Sequence, residues 1–397
     1  MAVLSQHPEW KNTGIWKNKL SYEVHCDRAP PSGGGAGAYG EEHDKQLSAW
    51  ITHQWGARVS ARLAAEAIEL VANQRERHPV CEYLNALTWD GTPRLDTWLT
   101  TCAGVEETPY TRAVGPKTLI GAVARAMDHG CKVDTMLVLE GPQGLRKSSL
   151  IAALVPNRAW LAEDLGALIG DKDALQGMRG KWIIEMAELA NMRPSKSDKV
   201  KQFLSTCEDN YRPSYARDAQ VFPRQAIFIG TLNPEGGGYL KDPTGARRFW
   251  PVQCGKVDLE RARAERDQLW AEAIMRYHQD EPYWLDEATE ALAKEEQADR
   301  QVENPWEARV IAYLEGEHTT DTRADLNRIR TAPLKEVRTA EIFEACMGRA
   351  MTNKDSADSQ LIATALKQHG WIRTRPGVKG KRSTIWRPAS MPDDQAR

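Results

Sequence analysis

The sequence predicts an α/β protein: a doubly wound parallel sheet, with a helical region before it and a winged-helix-like domain after it. Three observations carry this. The apolar runs "DTMLVLEG", "GKWIIEMAEL" and "QAIFIGTLNP" end in glycine, carboxylates and Asn-Pro and read as buried parallel strands. Helical stretches such as Ser197 to Ser205 lie between them, the alternation that defines the class. The polar residues fall at the carboxyl ends of these strands, where open α/β sheets bind ligands.

The elements follow in order. Residues 1–40 form a short N-terminal segment. Trp10, Trp16 and Tyr22 suggest a strand pair, and "PPSGGGAGAY" reads as a flexible linker. Residues 41–130 read as a helical domain. Within it, Ile51 begins an apolar face, "GARVS" breaks it, and Leu63, Ala67, Leu70 and Val71 resume it at helical spacing. "WDGTPR" is turn chemistry, and a further helix is expected over Pro116 to Met127. Residues 131–300 hold the sheet, with helices expected over Leu259 to Tyr277 and Asp286 to Val302. Residues 301–397 begin with a charged stretch, Gly316 to Thr331, that reads as a linker. "TAEIFEACM" and "DSADSQLIATALKQHG" then predict two helices, and "WIRTRPGVKGKRSTIWRP" two strands around a turn.

With 397 residues, 41% hydrophobic and 27% charged, the chain has the composition of a core-forming protein. No run approaches the ~20 apolar residues of a membrane span, and the N-terminus lacks the shape of a signal peptide, so a cytoplasmic location is expected. The seven cysteines are scattered and never in C-x-x-C spacing, which argues against a zinc site or a disulfide framework. Net charge is −2, yet Ser359 to Pro392 contains no acidic residue and seven basic ones.

"GPQGLRKSS" raises the sharpest chemical expectation. A phosphate-binding P-loop curls backbone N–H groups around phosphates at a helix N-terminus. Its lysine neutralises β/γ charge and the next hydroxyl ligates Mg²⁺. Gly141, Pro142, Gln143, Gly144, Leu145, Arg146, Lys147, Ser148 and Ser149 fit the pattern with one departure, Arg146 where glycine is usual. A bulky residue at positive φ costs about 1–2 kcal/mol. Glu185 and Glu188 end the second run. Glu185 is favoured as the metal-side carboxylate with Ser148 and Glu188 as the catalytic candidate, the reverse assignment and a pair of solvated carboxylates at a strand end being the alternatives. Residues three apart on a strand face opposite sides, so both reach one site only if the strand has ended by Glu188. Asn233 ends the third run as a candidate to orient water or sense the γ-phosphate, or as a plain turn starter. Arg247 and Arg248 follow, either as arginines delivered in trans to the transferring phosphate or as a surface pair.

The order of these pieces resembles the virulence-associated protein E family of P-loop proteins, related to superfamily-3 helicases. The residues that carry the resemblance are "HPVCEYLNALTWDGTPRLDTWL", "LIGAVARAM", "GCKVDTMLVLEGPQGLRKSS", "GKWIIEMAEL" and "YRPSYARDAQVFPRQAIFIGTLNPEGGGYLKDPTGARRFWPV". The resemblance covers about Trp10 to Trp270. It implies an AAA+-like ATPase core using ATP and Mg²⁺, a homo-oligomer in the form of a hexameric ring, and a part in replicating a phage or mobile element. By that resemblance Lys147 and Ser148 are the Walker A pair, Glu185 and Glu188 the Walker B carboxylates, Asn233 sensor 1, and Arg247 and Arg248 the intersubunit arginines.

DNA contacts are expected in two places. In "YRPSYARDAQVFPRQ", Arg212, Arg217 and Arg224 interleave with Tyr211, Tyr215 and Phe222, which suits single-stranded contact or, equally, packing. At the C-terminus a helix over Gln360 to His369 would enter a major groove, with Lys379, Lys381 and Arg382 on phosphates. A protein-contact module is the alternative. Three functions compete: an ATP-dependent DNA helicase or translocase; a nucleotide-binding DNA initiator with little turnover; and a P-loop kinase or small-molecule NTPase. DNA-stimulated hydrolysis separates the first two, and failure to bind any oligonucleotide would favour the third.

Overall fold

The computed structural model describes all residues except 1–3, 5–6, 164–171, 188–193, 214–217, 235–238, 241–242, 302–303, 305, 316–332, 353–355, 375–384 and 391–397. The chain divides into two compact units, Met1–Gln301 and Val302–Arg397.

A small sheet opens the first unit. It contains β1 (Ile15–Asn18), β2 (Val24–Cys26), β3 (Gly37–Ala38) and β4 (Glu76–Arg77), in the order β3-β2-β1-β4. The expected strand pair is β1 with β2, antiparallel, Ile15 opposite Cys26. Residues 30–39 are not a plain linker. They carry β3, and Tyr39 stacks on His43 with ring centroids 4.7 Å apart inside a core that includes Trp10, Leu47 and Ile68. Glycines there allow the turns, while the aromatic at the end supplies a reason to pack.

Helices Glu41–Trp55 and Ala61–Ala72 cover this sheet. Gly56, at φ 64°, ends the first. Ser60 caps the second by accepting from the Leu63 N–H, which places the break at "GARVS". The buried face of the second helix is Ala64, Ile68 and Ala72, whereas Leu63 and Leu70 are exposed. Two sets of apolar residues share the 3–4 spacing on this helix, and packing against the small sheet selects the slimmer one. The next long helix runs Pro109–Met127 and starts seven residues before the expected Pro116. Thr108 caps it and Pro109 takes the first turn, where a missing N–H costs nothing. Pro116 lies inside.

The main sheet contains β5 (Met136–Glu140), β6 (Leu161–Ala162), β7 (Ile183–Met186), β10 (Ile227–Leu232) and β11 (Phe249–Gln253), all parallel, in the order β11-β5-β10-β7-β6. The three apolar runs are its three central strands. β6 is too short for periodicity to reveal. Strands buried on both faces need two layers of helix, and both are present. Leu137 and Leu139 face the helices Pro109–Met127, Lys147–Leu154 and Leu259–His278. Met136 and Val138 face Val200 and Leu204 of the helix Pro194–Ser205. Two tryptophans tie the first layer to the sheet. Trp182 Nε1 donates to the Ala122 carbonyl at 2.9 Å and Trp270 Nε1 to that of Leu154 at 2.8 Å, their rings 4.3 Å apart. A hairpin, β8 (Glu208–Tyr211) with β9 (Gln220–Pro223), lies between β7 and β10 in the chain. The helix Glu287–Ala298 closes the unit.

The second unit runs from helix Glu307–Glu315 to β12 (Val337–Arg338), helices Thr339–Met347 and Ser356–Gln368, then β13 (Trp371–Thr374) and β14 (Ile385–Pro388). Its antiparallel sheet has the order β12-β14-β13. Both expected helices and both expected strands are present, around a core of Val310, Phe343, Ile362, Leu366 and Trp386. Among the described residues no helix is long and apolar enough to cross a membrane.

Candidate functional site

The loop after β5 is shaped by residues with left-handed backbone. Gly141 has φ 147° and Gly144 φ 88°. A Cβ on Gly141 would lie 2.6 Å from Leu145 Cδ1, and Leu145 itself anchors the loop in the core. Arg146, at φ 64° and ψ 31°, is the residue immediately before the helix Lys147–Leu154. The departure anticipated in the sequence is thus a real arginine in left-handed backbone, at a cost of about 1–2 kcal/mol. The side chains of Pro142, Gln143, Arg146, Ser148 and Ser149 are exposed, so the loop opens to solvent at the helix N-terminus. First-turn amides there have no partners within the helix, and the macrodipole favours an anion.

Lys147 turns inward. Its Nζ donates to the carbonyls of Gly141 at 2.6 Å and Pro142 at 3.1 Å, and to Asn233 Oδ1 at 2.8 Å. Burial lowers the pKa of its ammonium, opposed by Cys254 and Glu185. Ser148 Oγ donates to Glu185 Oε1 at 2.6 Å, and Thr231 Oγ1 donates to the same oxygen at 2.9 Å. Register explains this convergence. Glu185 pairs with Ile229, and Ile229 with Leu137. Thr231 is two residues beyond Ile229 and so shares its face, the one that carries the Lys147–Leu154 helix. The fold therefore brings together Lys147, Ser148, Glu185 and Asn233, and adds Thr231, whose place beside Glu185 sequence reasoning missed. The available signal was its i+2 spacing to Asn233. β7 ends at Met186, so the strand has ended before position 188. Glu188 itself lies outside the described residues. On the sheet's other face, Glu140 accepts two bonds from Arg300 Nε, at 2.9 and 2.8 Å, fixing the last strand residue before the loop.

Other expected residues lie at the opposite edge of the sheet. Arg247 and Arg248 end the 3₁₀ turn Pro243–Arg248. Phe249, next in chain, pairs with Met136, the first residue of β5. The strand's length, ~13 Å at about 3.3 Å per residue, separates this arginine pair from the Gly141–Ser149 loop of the same protomer. Arg247 is exposed, while Arg248 Nε donates to Ser205 Oγ at 2.8 Å.

In the hairpin, Arg212 is exposed, but Arg224 is not a surface cation. It is buried, donates to Asp209 through Nε and Nη2 at 2.8 and 2.7 Å, and lies over the Phe203 ring. Tyr211 and Phe222 are also buried, their rings 4.8 Å apart. Tyr22 packs edge-on against Phe222. For these three residues of the interleaved stretch, packing is the outcome. Arg217, Lys379, Lys381 and Arg382 lie outside the described residues, as does Tyr215.

Folding also brings together His78, Cys81 and His129, with candidate ligand atoms within 4.8 Å of one another. Cysteine spacing alone does not reveal this group. Hydrogen bonds account for both His78 nitrogens: Nδ1 accepts from the Cys81 N–H at 3.2 Å, capping helix Pro79–Ala86, and Nε2 lies 2.7 Å from Gln225 Oε1. Gln225 is oriented by its own donation to the Lys19 carbonyl and Tyr22 Oη. The group is a packed junction that joins the helix to the start of β10. Among the described residues the cysteines are free thiols, and burial pushes Cys254 up to about 12.

Solved structures to which this chain is similar include the A-form apo structure of the NrS-1 C-terminal region, at 11% identity, TM-score 0.48, covering 95% of this chain and 97% of that one. A second A-form apo structure of that region shows 10% identity and TM-score 0.48, covering 94% and 95%. A third apo structure shows 11% and 0.46, covering 96% and 99%. No curated protein matches the chain. The model of the virulence-associated protein E-like domain matches residues 84–302, more than half of the sequence and the whole of the main sheet with its loop. The chain belongs to the virulence-associated protein E-like family.

Proposed function

We propose that the chain is a Mg²⁺-dependent P-loop ATPase that couples hydrolysis to unwinding of, or movement along, DNA in the replication of a phage or mobile element. The observation that carries this reading is the meeting of Lys147, Ser148, Glu185 and Asn233 at the carboxyl edge of a parallel sheet, beneath an open loop at a helix N-terminus. Lys147 is held by two carbonyls and an amide oxygen, acceptors that a β/γ-phosphate can replace. Ser148 and Glu185 supply hard oxygen donors suited to Mg²⁺, which would neutralise charge on the phosphates. Asn233, released from Lys147, would orient water, and Glu188 is the candidate to activate it. Arg247 is proposed to serve the site of a neighbouring protomer in a ring, because the length of a strand keeps it from its own.

DNA is the proposed partner. The second unit has the order helix, strand, helix, helix, strand, strand, the succession of a winged helix, with exposed Lys367 on its last helix. Arg212 is a second candidate contact.

One observation favours a slower variant of this reading. Arg146 occupies left-handed backbone beside the catalytic lysine, so the protein would bind nucleotide as a DNA initiator with little turnover. ATP hydrolysis with and without single-stranded DNA tests both. The ATPase reading expects DNA stimulation that is lost in Lys147→Ala and Glu185→Gln. Hydrolysis indifferent to DNA and to Lys147→Ala would sink it. Tight binding with negligible turnover would establish the initiator.

A further inference from the structure

We infer that Thr231 is the positioning residue that holds Glu185 in its metal-binding orientation. This rests on the nucleotide-site reading above. Glu185 is 2% exposed, and an ionised carboxylate buried to that degree needs hydrogen-bond donors. Among the described residues two donors reach it, Ser148 Oγ at 2.6 Å and Thr231 Oγ1 at 2.9 Å, both on Oε1.

The two donors differ in kind. Ser148 is exposed in the first turn of the helix after the loop, and in the proposed site its oxygen is drawn to the cation. Thr231 is buried, 6% exposed. It sits on β10, which is hydrogen-bonded to β5 on one side and β7 on the other. Its backbone position is therefore fixed by the sheet and, being β-branched, it has few rotamers. Thr231 is the donor that stays when the cation arrives. Bound at Oε1, it restrains the carboxylate from within the sheet. Its hydroxyl donates to Glu185, and its proposed effect passes through that carboxylate.

The test measures affinity of the full chain for a fluorescent ATP analogue, with Mg²⁺ and with EDTA, in wild type, Thr231→Val and Thr231→Ser. Valine keeps the shape and removes the donor. Expected is EDTA affinity equal to wild type, a Mg²⁺ requirement raised roughly tenfold in the valine variant, as for other residues that orient metal ligands, and recovery in the serine variant. A Mg²⁺ requirement unchanged in valine overturns the inference. So does serine as impaired as valine, since the hydroxyl on its own would then not restore the Mg²⁺ requirement. If valine does not fold, Thr231→Ala makes the same distinction against serine. A wild type with no Mg²⁺-dependent nucleotide binding removes the nucleotide reading and this inference together. Normal Mg²⁺ dependence in wild type with an unaffected valine variant removes only the role of Thr231.

Discussion

The two edges of the main sheet treat buried cations in opposite ways. At the carboxyl edge, Lys147 is held by neutral oxygens from Gly141, Pro142 and Asn233, and the serine beside it is exposed. At the amino edge, Arg224 is clamped by the Asp209 carboxylate and the Phe203 ring. Arg125, wholly buried nearby, donates to the carbonyls of Arg224 and Val133. A cation held by exchangeable acceptors beside solvent is available to an incoming anion. One sealed against a carboxylate or in the core holds the fold together. Sequence cannot separate these roles, because both kinds appear as basic residues near aromatic or glycine-rich stretches.

The largest effect that would break this comparison is at Asp209. Asp209→Ala leaves the Arg224 guanidinium buried without its partner, which costs about 3–5 kcal/mol. The melting temperature should fall by roughly 10 °C, with nucleotide affinity unchanged below the transition. Lys147→Ala should do the reverse. Its acceptors face an open loop that water can enter, so thermal stability should change little. Nucleotide affinity should fall roughly 100-fold, about 3 kcal/mol for a charge pair with phosphate. Calorimetric melting and titration on both variants check the pair. If Asp209→Ala weakens nucleotide binding as strongly as Lys147→Ala, the two edges are not independent.

His78 extends the comparison to protons. It sits at the amino edge against Gln225. Burial lowers its pKa to about 4, assisted by His129 and Lys19, and burial lowers His129 as well. A histidine whose folded pKa lies below its unfolded value, about 6.5, stays neutral while the unfolded chain takes up a proton. Stability is then complete above about pH 6.5 and declines as pH falls toward 4, by about 3 kcal/mol. His78→Asn, which retains a helix cap, should flatten most of that slope between pH 6.5 and 4. A slope equal to wild type would move the titration to His129 or elsewhere.

The legible parts of this molecule were those with a local signature. Three apolar runs of strand length ending in polar residues gave the three central strands. The glycine-lysine-serine spacing placed the loop, and Gly56 and Ser60 marked the break between the helices Glu41–Trp55 and Ala61–Ala72. What was not legible depends on tertiary choice. Helix Ala61–Ala72 offers two apolar faces at the same spacing, and only packing selects Ala64 and Ile68 over Leu63 and Leu70. Pro116 reads as a helix start until Thr108 and Pro109 supply a better one. Thr231 acquires a partner only when β10 is laid beside β7. Arg224 and Arg212, twelve residues apart in one basic-aromatic stretch, part ways because Asp209 sits across the hairpin ladder from Phe222, whose neighbourhood Arg224 enters.

The smallest expected effect concerns the residue that departs from the phosphate-loop pattern. Arg146 carries three unfavourable terms while no anion is bound: left-handed backbone, a cation at the positive end of a helix, and Lys147 as its neighbour. Glycine removes all three, offset in part by the greater freedom glycine gives the unfolded chain. Arg146→Gly should therefore stabilise the nucleotide-free protein by no more than about 1 kcal/mol. The same substitution removes a guanidinium from the open face of the loop, so affinity for ATP should fall severalfold at low salt. That loss should shrink at high salt, because charges exposed to solvent are screened within about 10 Å at 0.1 M. A small rise in melting temperature with a salt-sensitive loss of affinity makes Arg146 a cation of the carboxyl edge, exchangeable like Lys147. A rise in both melting temperature and affinity makes it an obstruction, and favours the slow-turnover reading of the site.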